Sequence, residues 1–227
     1  MKMPILLLAA SVVVSFAINA VFIPMLLRLS HWKGWYDEVD HRKIHKGNIP
    51  RLGGVGIFVS FLLGLIIFYM LHHFFFNELP LPGFFSLWPF LIGMLMINAL
   101  GLFDDFRSIK AWIKVLVQLA AAAVVVVFGN RIGIIDIPTF GISIKLGPFS
   151  YILSILWILG LSNAVNLLDG LDGLAGGTVA IIALFIAAIS VLHQNYVAAA
   201  AGIILFGSLV GFLVYNLPPA KIFMGDS

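Results

Sequence analysis

Seven long apolar stretches separated by short polar ones set the plan of the chain. They lie at about 4–29, 52–73, 84–103, 112–129, 149–165, 176–193 and 198–215, each near or above the roughly 20 residues that a helix needs to cross a bilayer. Lipid offers no hydrogen bonds, so a spanning segment pairs its backbone within itself, and these stretches predict helices. The fifth is the shortest. Ahead of it, residues 131–148 alternate isoleucine with polar residues around Pro138, Gly141, Gly147 and Pro148, which predicts a small β-hairpin. The first stretch is too long for a signal-peptide core, and Phe22 to Leu29 lacks a small-residue cleavage pattern, so it counts as a helix. The expected fold class is all-α, a polytopic transmembrane helical bundle of about seven spans. With no repeat, low-complexity tract or linker, residues 1–227 read as one integral membrane domain.

Composition agrees. Hydrophobic residues make up 62% of the 227 positions and charged residues 10%, far too apolar for a water-exposed globule. The net charge of +3 comes from residues scattered between apolar runs, with no basic stripe to track a phosphate backbone, so nucleic acid is not expected as a partner. The absence of cysteine excludes disulfides, thiolate metal sites and thiol nucleophiles.

Lysine and arginine set the orientation. Arg28, Lys33, Arg42, Lys43, Lys46 and Arg51 flank the first connection, and Arg107, Lys110 and Lys114 follow the third stretch, whereas the opposite loops hold Arg131 and Lys145. By the positive-inside rule the N-terminus is outside, the hairpin is external, and the segments 30–51, 104–111, 166–175 and 216–227 are cytoplasmic. Those segments carry Asp104, Asp105, Asp169, Asp172 and Asp226. Tryptophans 88, 112 and 157 are expected at or near the bilayer interfaces, as are His72, His73 and His193. Gly207 and Gly211 form a GxxxG spacing suited to close helix packing.

Candidate chemistry gathers in these cytoplasmic segments. Asp104 and Asp105 end the third stretch, and neighbours on a helix point about 100° apart, so one can meet a cation or substrate while the other is held elsewhere. The run Asn163, Asn166, Asp169, Gly170, Asp172, Gly173 contains no lysine or arginine; its glycines permit a break that lets Asn166 and Asp172 converge, and a divalent cation or a hydrogen-bonding ligand suits the two carboxylates. Near the C-terminus, Asn216, Lys221, Phe223, Gly225 and Asp226 offer a flat ring, a cation and close backbone approach. The loop with Arg42, Lys43, His45, Lys46 and Arg51 lies at the membrane surface. Taken singly, each cluster also fits a plain helix end, a turn or the positive-inside bias. Together, acids from separate segments facing a basic loop meet the needs of magnesium-assisted phosphoryl transfer.

These segments together resemble the polyprenyl-phosphate N-acetylhexosamine-1-phosphate transferases, the glycosyltransferase 4 family. The resemblance rests on Arg42-Lys43-Ile44-His45 with Pro50-Arg51-Leu52-Gly53-Gly54, Phe103-Asp104-Asp105, Asn163 through Gly173, and Asn216 through Phe223-Met224-Gly225-Asp226. It implies attack by a lipid phosphate on the β-phosphate of a UDP-sugar, giving sugar-diphospho-polyprenol and UMP, with magnesium as cofactor or manganese in its place. It also implies Asp104 and Asp105 as catalytic, Asp226 and Asp105 as metal ligands, and Asn166, Asp169, Asp172, Asn216, Phe223, Arg42, His45, Lys46 and Arg51 as substrate-binding. The basic loop looks closer to the N-acetylglucosamine-type branch, which starts teichoic acid or O-antigen lipids, than to the muramoyl-pentapeptide branch with its Gly-Thr-Pro-Thr-Met-Gly-Gly. Implied partners are a UDP-sugar, a polyprenyl phosphate and the bacterial inner membrane, with the active site cytoplasmic and a homodimer left open. Family members continue into further spans and a His-x-His-His loop that has no match here, so the chain is expected to be the N-terminal two-thirds of the family domain, with little activity by itself. The competing readings are an ion-coupled transporter, which would hold its acids near mid-bilayer, and an inactive lipid-binding fragment.

Overall fold

Continuous apolarity gives continuous helix. The computed structural model describes residues 5–36, 49–75 and 81–227, and among them seven helices follow the seven apolar stretches. These are α1 (Ile5–Lys33), α2 (Gly53–Phe75), α3 (Trp88–Phe106), α4 (Ala111–Val127), α5 (Phe149–Leu168), α6 (Leu174–Leu192) and α7 (Tyr196–Asn216). Strands β1 (Ile134–Ile137) and β2 (Ile142–Lys145) form the expected hairpin, antiparallel with Ile135 opposite Ile144 and Ile137 opposite Ile142.

Six of the helical segments are long and apolar enough to span a membrane, and the shorter one is α4, at 17 residues. The expectation that the fifth stretch is the shortest is thus corrected: α5 has 20 residues and runs on to Leu168. It continues because Asn163 stays inside the helix, its side-chain amide donating to the carbonyl of Leu159 one turn back (2.8 Å) and to Gln118 Oε1 of α4 (3.2 Å). Trp157 falls near the middle of α5 rather than at an end, whereas Trp88 and Trp112 sit in the first turns of α3 and α4. His72 lies in the last turn of α2, at the helix end where it is expected, and is 7% exposed.

The middle of the bundle is α7, which packs on α6, α1 and α2. Its GxxxG pair lies against α1: a Cβ on Gly211 would stand 2.8 Å from the carbonyl oxygen of Phe16, and one on Gly207 would stand 2.6 Å from that of Val12. Only glycine lets the two backbones come this close. The seam is pinned by Asn19 Nδ2 donating to the carbonyl of Ser208 (2.6 Å) and by the Tyr215 hydroxyl donating to that of Ala20 (2.9 Å). Leu7, Phe61, Leu65, Phe68, Ala200 and Ile204 fill one half of the core; Ile23, Phe212 and Ile222 fill the other.

Because successive helices alternate in direction, the ends of α1, α3, α5 and α7 meet the beginnings of α2, α4 and α6 at one end of the bundle. Contacts across that end join them: Trp35 packs edge-on against Phe106 at 5.0 Å, and the N–H groups of Gly53 and Gly54 donate to the carbonyls of Phe223 (2.9 Å) and Met224 (2.7 Å). The hairpin between α4 and α5 lies at the other end.

Candidate active site

The segment after α7 builds the site by crossing the end of the bundle. Asn216, 3% exposed, holds it in place: its carbonyl oxygen accepts the N–H of Gly173 (3.0 Å) and its amide donates to the carbonyl of Ile222 (2.8 Å). Asp172 accepts the N–H of Ala220 at 3.0 Å. Removing this buried amide strands the Gly173 N–H and the Ile222 carbonyl, at about 1–3 kcal/mol for each unsatisfied group. Asn216→Ala is therefore expected to lower the thermal unfolding midpoint by several degrees, more than Asn195→Ala at the exposed start of α7; equal shifts would remove Asn216 from this role.

Beyond Ile222 the chain pairs with the start of α2 and turns at Gly225, whose φ is +79°. A side chain there would be strained and would also press within 2.6 Å of the Arg51 carbonyl and 2.7 Å of the Asp105 carboxylate. The turn aims the N–H of Asp226 at Asp105 Oδ1 (2.8 Å) and the N–H of Ser227 at Asp105 Oδ2 (3.2 Å). Asp105 thus orders the turn that presents Asp226, and its oxygens retain lone pairs for another partner.

Asp104 points elsewhere, as adjacent positions on a helix must. One oxygen accepts the N–H of Ile109 (2.7 Å), and the other pairs with the ammonium of Lys114, which also reaches Asp226 Oδ2 at 2.8 Å. Lys114 therefore bridges the carboxylates of Asp104 and Asp226. By sequence alone Lys114 stands only among the cations that set the orientation. The available signal was its place in the first turn of α4, ten residues after Asp104, where a cation faces the carboxylates that end α3.

Asp169 lies just past the end of α5, with the Gly225 N–H near its carboxylate. Burial pushes its carboxyl up from 3.8 to about 6; the Gly225 N–H and the Arg51 charge pull it down, while Asp226 and Asp172 push it further up. The fold therefore favours the protonated form. That contribution to stability is complete below pH 3.8 and is lost as pH rises through about 6. In chelator-containing buffer, Asp169→Asn is expected to flatten the fall in thermal midpoint across this window. An unchanged slope would contradict the burial.

Two cavities meet at these groups. The larger, about 620 Å³, runs among α2, α3, α5 and α7 past Phe58, Phe61, Phe90, Met94, Ile97, Leu205 and Leu209, and ends at Asp104, Lys114, Gln118 and Asp226. The smaller, about 230 Å³, is bounded by Arg51, Asp172, Asn216 and Phe223. Asn166, Asp169, Gly225 and Asp226 line both. The break between α5 and α6 at 169–173, with Gly173 at φ +75°, lets Asn166 and Asp172 converge on the smaller one. Of the expected site residues, Asp104, Asp105, Asn166, Asp169, Asp172, Asn216, Phe223, Arg51 and Asp226 come together here. Arg42, His45 and Lys46 lie outside the described residues.

Among the described residues no three acidic or histidine side chains form a ready-made metal cage. The donor set nonetheless fits magnesium: Asp104 and Asp226 converge on one cationic nitrogen, and this hard, reluctantly dehydrated ion binds through one or two carboxylates, completing its shell with water and phosphate oxygens.

A polytopic helical membrane protein with a carboxylate-lined cleft at one end of its bundle is the class that fold and site define. Residues 87–227 match Glycosyl transferase family 4, and the chain belongs to that family. It is 31% identical over 218 residues to the "Probable undecaprenyl-phosphate N-acetylglucosaminyl 1-phosphate transferase" of Bacillus subtilis (strain 168), an alignment covering 95% of this chain and 57% of that protein. It is 35% identical over 228 residues to the Phospho-N-acetylmuramoyl-pentapeptide-transferase of Thermotoga neapolitana, covering 94% and 68%. With the corresponding protein of Lactococcus lactis subsp. cremoris (strain MG1363) the identity is 34% over 230 residues, covering 94% and 67%.

Proposed function

We propose that this protein transfers a sugar-1-phosphate, N-acetylglucosamine-1-phosphate in the first instance, from a UDP-sugar to undecaprenyl phosphate with release of UMP, as the first membrane step of a cell-envelope polysaccharide. The observation that carries this reading is the meeting of an apolar cavity and a polar one at a shared set of carboxylates. A lipid phosphate has an apolar body and an anionic head, whereas a nucleotide-sugar is polar throughout, and the reaction requires their phosphates side by side. The name of the Bacillus subtilis relative supports the acceptor and the sugar.

In this mechanism an oxygen of the lipid phosphate attacks the β-phosphorus of the UDP-sugar, a new P–O bond forms, and the bond to the bridging oxygen breaks so that UMP leaves with that oxygen. Lys114 and Arg51 supply positive charge to phosphates that would otherwise repel, and positioning of this kind provides most of the rate in phosphoryl transfer. Phe223 offers a face for the flat uracil ring, and Asn166, Asp172 and Asn216 provide hydrogen-bonding groups around it. Asp105 fixes the turn that carries Asp226. Magnesium, held by Asp226 with Asp104 or Asp105, would shield the diphosphate charge. The cleft faces the cytoplasm, where UDP-sugars are made.

The test is UMP release from UDP-N-acetylglucosamine by membranes of cells expressing the gene, with added undecaprenyl phosphate, in magnesium and in chelator. Release that requires both lipid and magnesium supports the proposal. Release that is indifferent to the lipid would overturn it.

A further inference from the structure

At the end of the bundle away from the cleft, the β1–β2 hairpin has two unlike faces. Its register places Ile135, Ile137, Ile142 and Ile144 together on one side, at 36%, 37%, 47% and 47% exposure, with Phe140 at the tip 75% exposed. The other side carries Asp136, Ser143 and Lys145 with Ile134. A four-isoleucine face beside a charged one is not what a loop in open water presents.

The surroundings say where that face lies. Helix α4 has 17 residues, about 25 Å at 1.5 Å per residue, against about 30 Å of hydrocarbon, so the chain leaves α4 before it has cleared the acyl region. It then runs back along α5 instead of out into solvent. The N–H of Ile132 donates to Ser154 Oγ (2.8 Å), and the Ser150 hydroxyl donates to the Ile132 carbonyl (2.7 Å). Ser154 is five residues into α5, about 8 Å below the helix start. Non-helical backbone at that depth needs side-chain partners in place of water, and these two serines, 2% and 3% exposed, supply them. Interface-type contacts occur at this end of the bundle: Trp88 lies tilted against Phe128 with ring centroids 4.6 Å apart, and the Arg131 guanidinium lies over the Tyr151 ring at 4.6 Å.

We propose that the hairpin is a membrane-surface element, its isoleucine face and Phe140 seated in the headgroup–acyl boundary of the leaflet opposite the cleft and its Asp136–Lys145 face turned to water. Val127 and Phe128 at the end of α4, and Phe149 and Ile152 in the first turn of α5, are apolar and exposed as well. Seated so, the hairpin ties the far ends of α4 and α5 to one depth in the bilayer.

The absence of native cysteine allows a direct test on the full protein in vesicles of phosphatidylethanolamine and phosphatidylglycerol. Nitroxide labels are placed singly through Ile142→Cys and Ser143→Cys, neighbours on opposite faces. Collision rates are then measured with oxygen, which partitions into lipid, and with a polar nickel complex, which stays in water. The oxygen-to-nickel ratio is expected to be several-fold higher at position 142 than at 143. Ile144→Cys and Lys145→Cys repeat the comparison on the same strand, so a label that disturbs one pair leaves the other. Equal ratios on the two faces in both pairs overturn the proposal. So does exclusion of both reagents from the isoleucine face, which would mean that protein covers it.

Discussion

Asp226→Asn is expected to reduce kcat by about 10²–10³-fold, the loss typical of removing one preorganised electrostatic contact to a reacting group. The amide keeps the shape of the carboxylate, so the Gly225 turn and the Asp226 N–H bond to Asp105 are preserved and the variant should fold. What disappears is a negative charge that pairs with Lys114 at 2.8 Å and that a divalent ion needs if it is to surrender water. Half-maximal activity should accordingly require a higher magnesium concentration. The check is a steady-state assay of UMP release across a magnesium titration. Near-native turnover with an unshifted magnesium response would remove Asp226 from the reacting centre.

Lys114→Met carries the second large effect, read in turnover and in thermal stability. Turnover should fall by about 10²-fold, since the ammonium that bridges Asp104 and Asp226 is also the cation placed to receive a phosphate. In chelator the thermal midpoint should fall too, because two converging carboxylates are left to repel each other. Added magnesium should then stabilise the variant more than the native protein, since an ion that binds only the folded state raises its midpoint by mass action and no longer competes with the ammonium. Equal magnesium-induced shifts in the two proteins would contradict a cation site between these carboxylates.

Much of the fold is legible in the sequence because lipid imposes one strict condition, unbroken apolarity over a bilayer's thickness, which Ile5–Lys33 or Gly53–Phe75 display openly. The condition blurs where polar residues are satisfied locally. Asn163 looks like the start of a loop, yet it bonds back along its own helix, and α5 outlasts the expected span. Trp157 carries an interfacial preference by residue type alone, which its mid-helix position overrides.

The site divides in the same way. Opposed aims for Asp104 and Asp105 follow from helix geometry, and the convergence of Asn166 with Asp172 follows from the glycine-bearing break. Lys114 is harder to read as a site residue, because its partner Asp226 lies 112 positions away and a lysine at a helix end already has a sufficient explanation in membrane orientation. The role of Asp105 in ordering residues 225–227 was hidden for a related reason: the groups it binds are main-chain N–H donors, which carry no residue identity.

In the proposed reaction a sugar phosphate, and not a bare sugar, crosses from nucleotide to lipid at these carboxylates. UDP-N-acetylglucosamine labelled with ³²P at the β-phosphate in one preparation and at the α-phosphate in another separates the two directly. After incubation with the protein, undecaprenyl phosphate and magnesium, the lipid extract is counted. The expected result is β-label in the lipid fraction and α-label in UMP. Retention of the β-label in water-soluble UDP while the sugar itself becomes lipid-linked would contradict it.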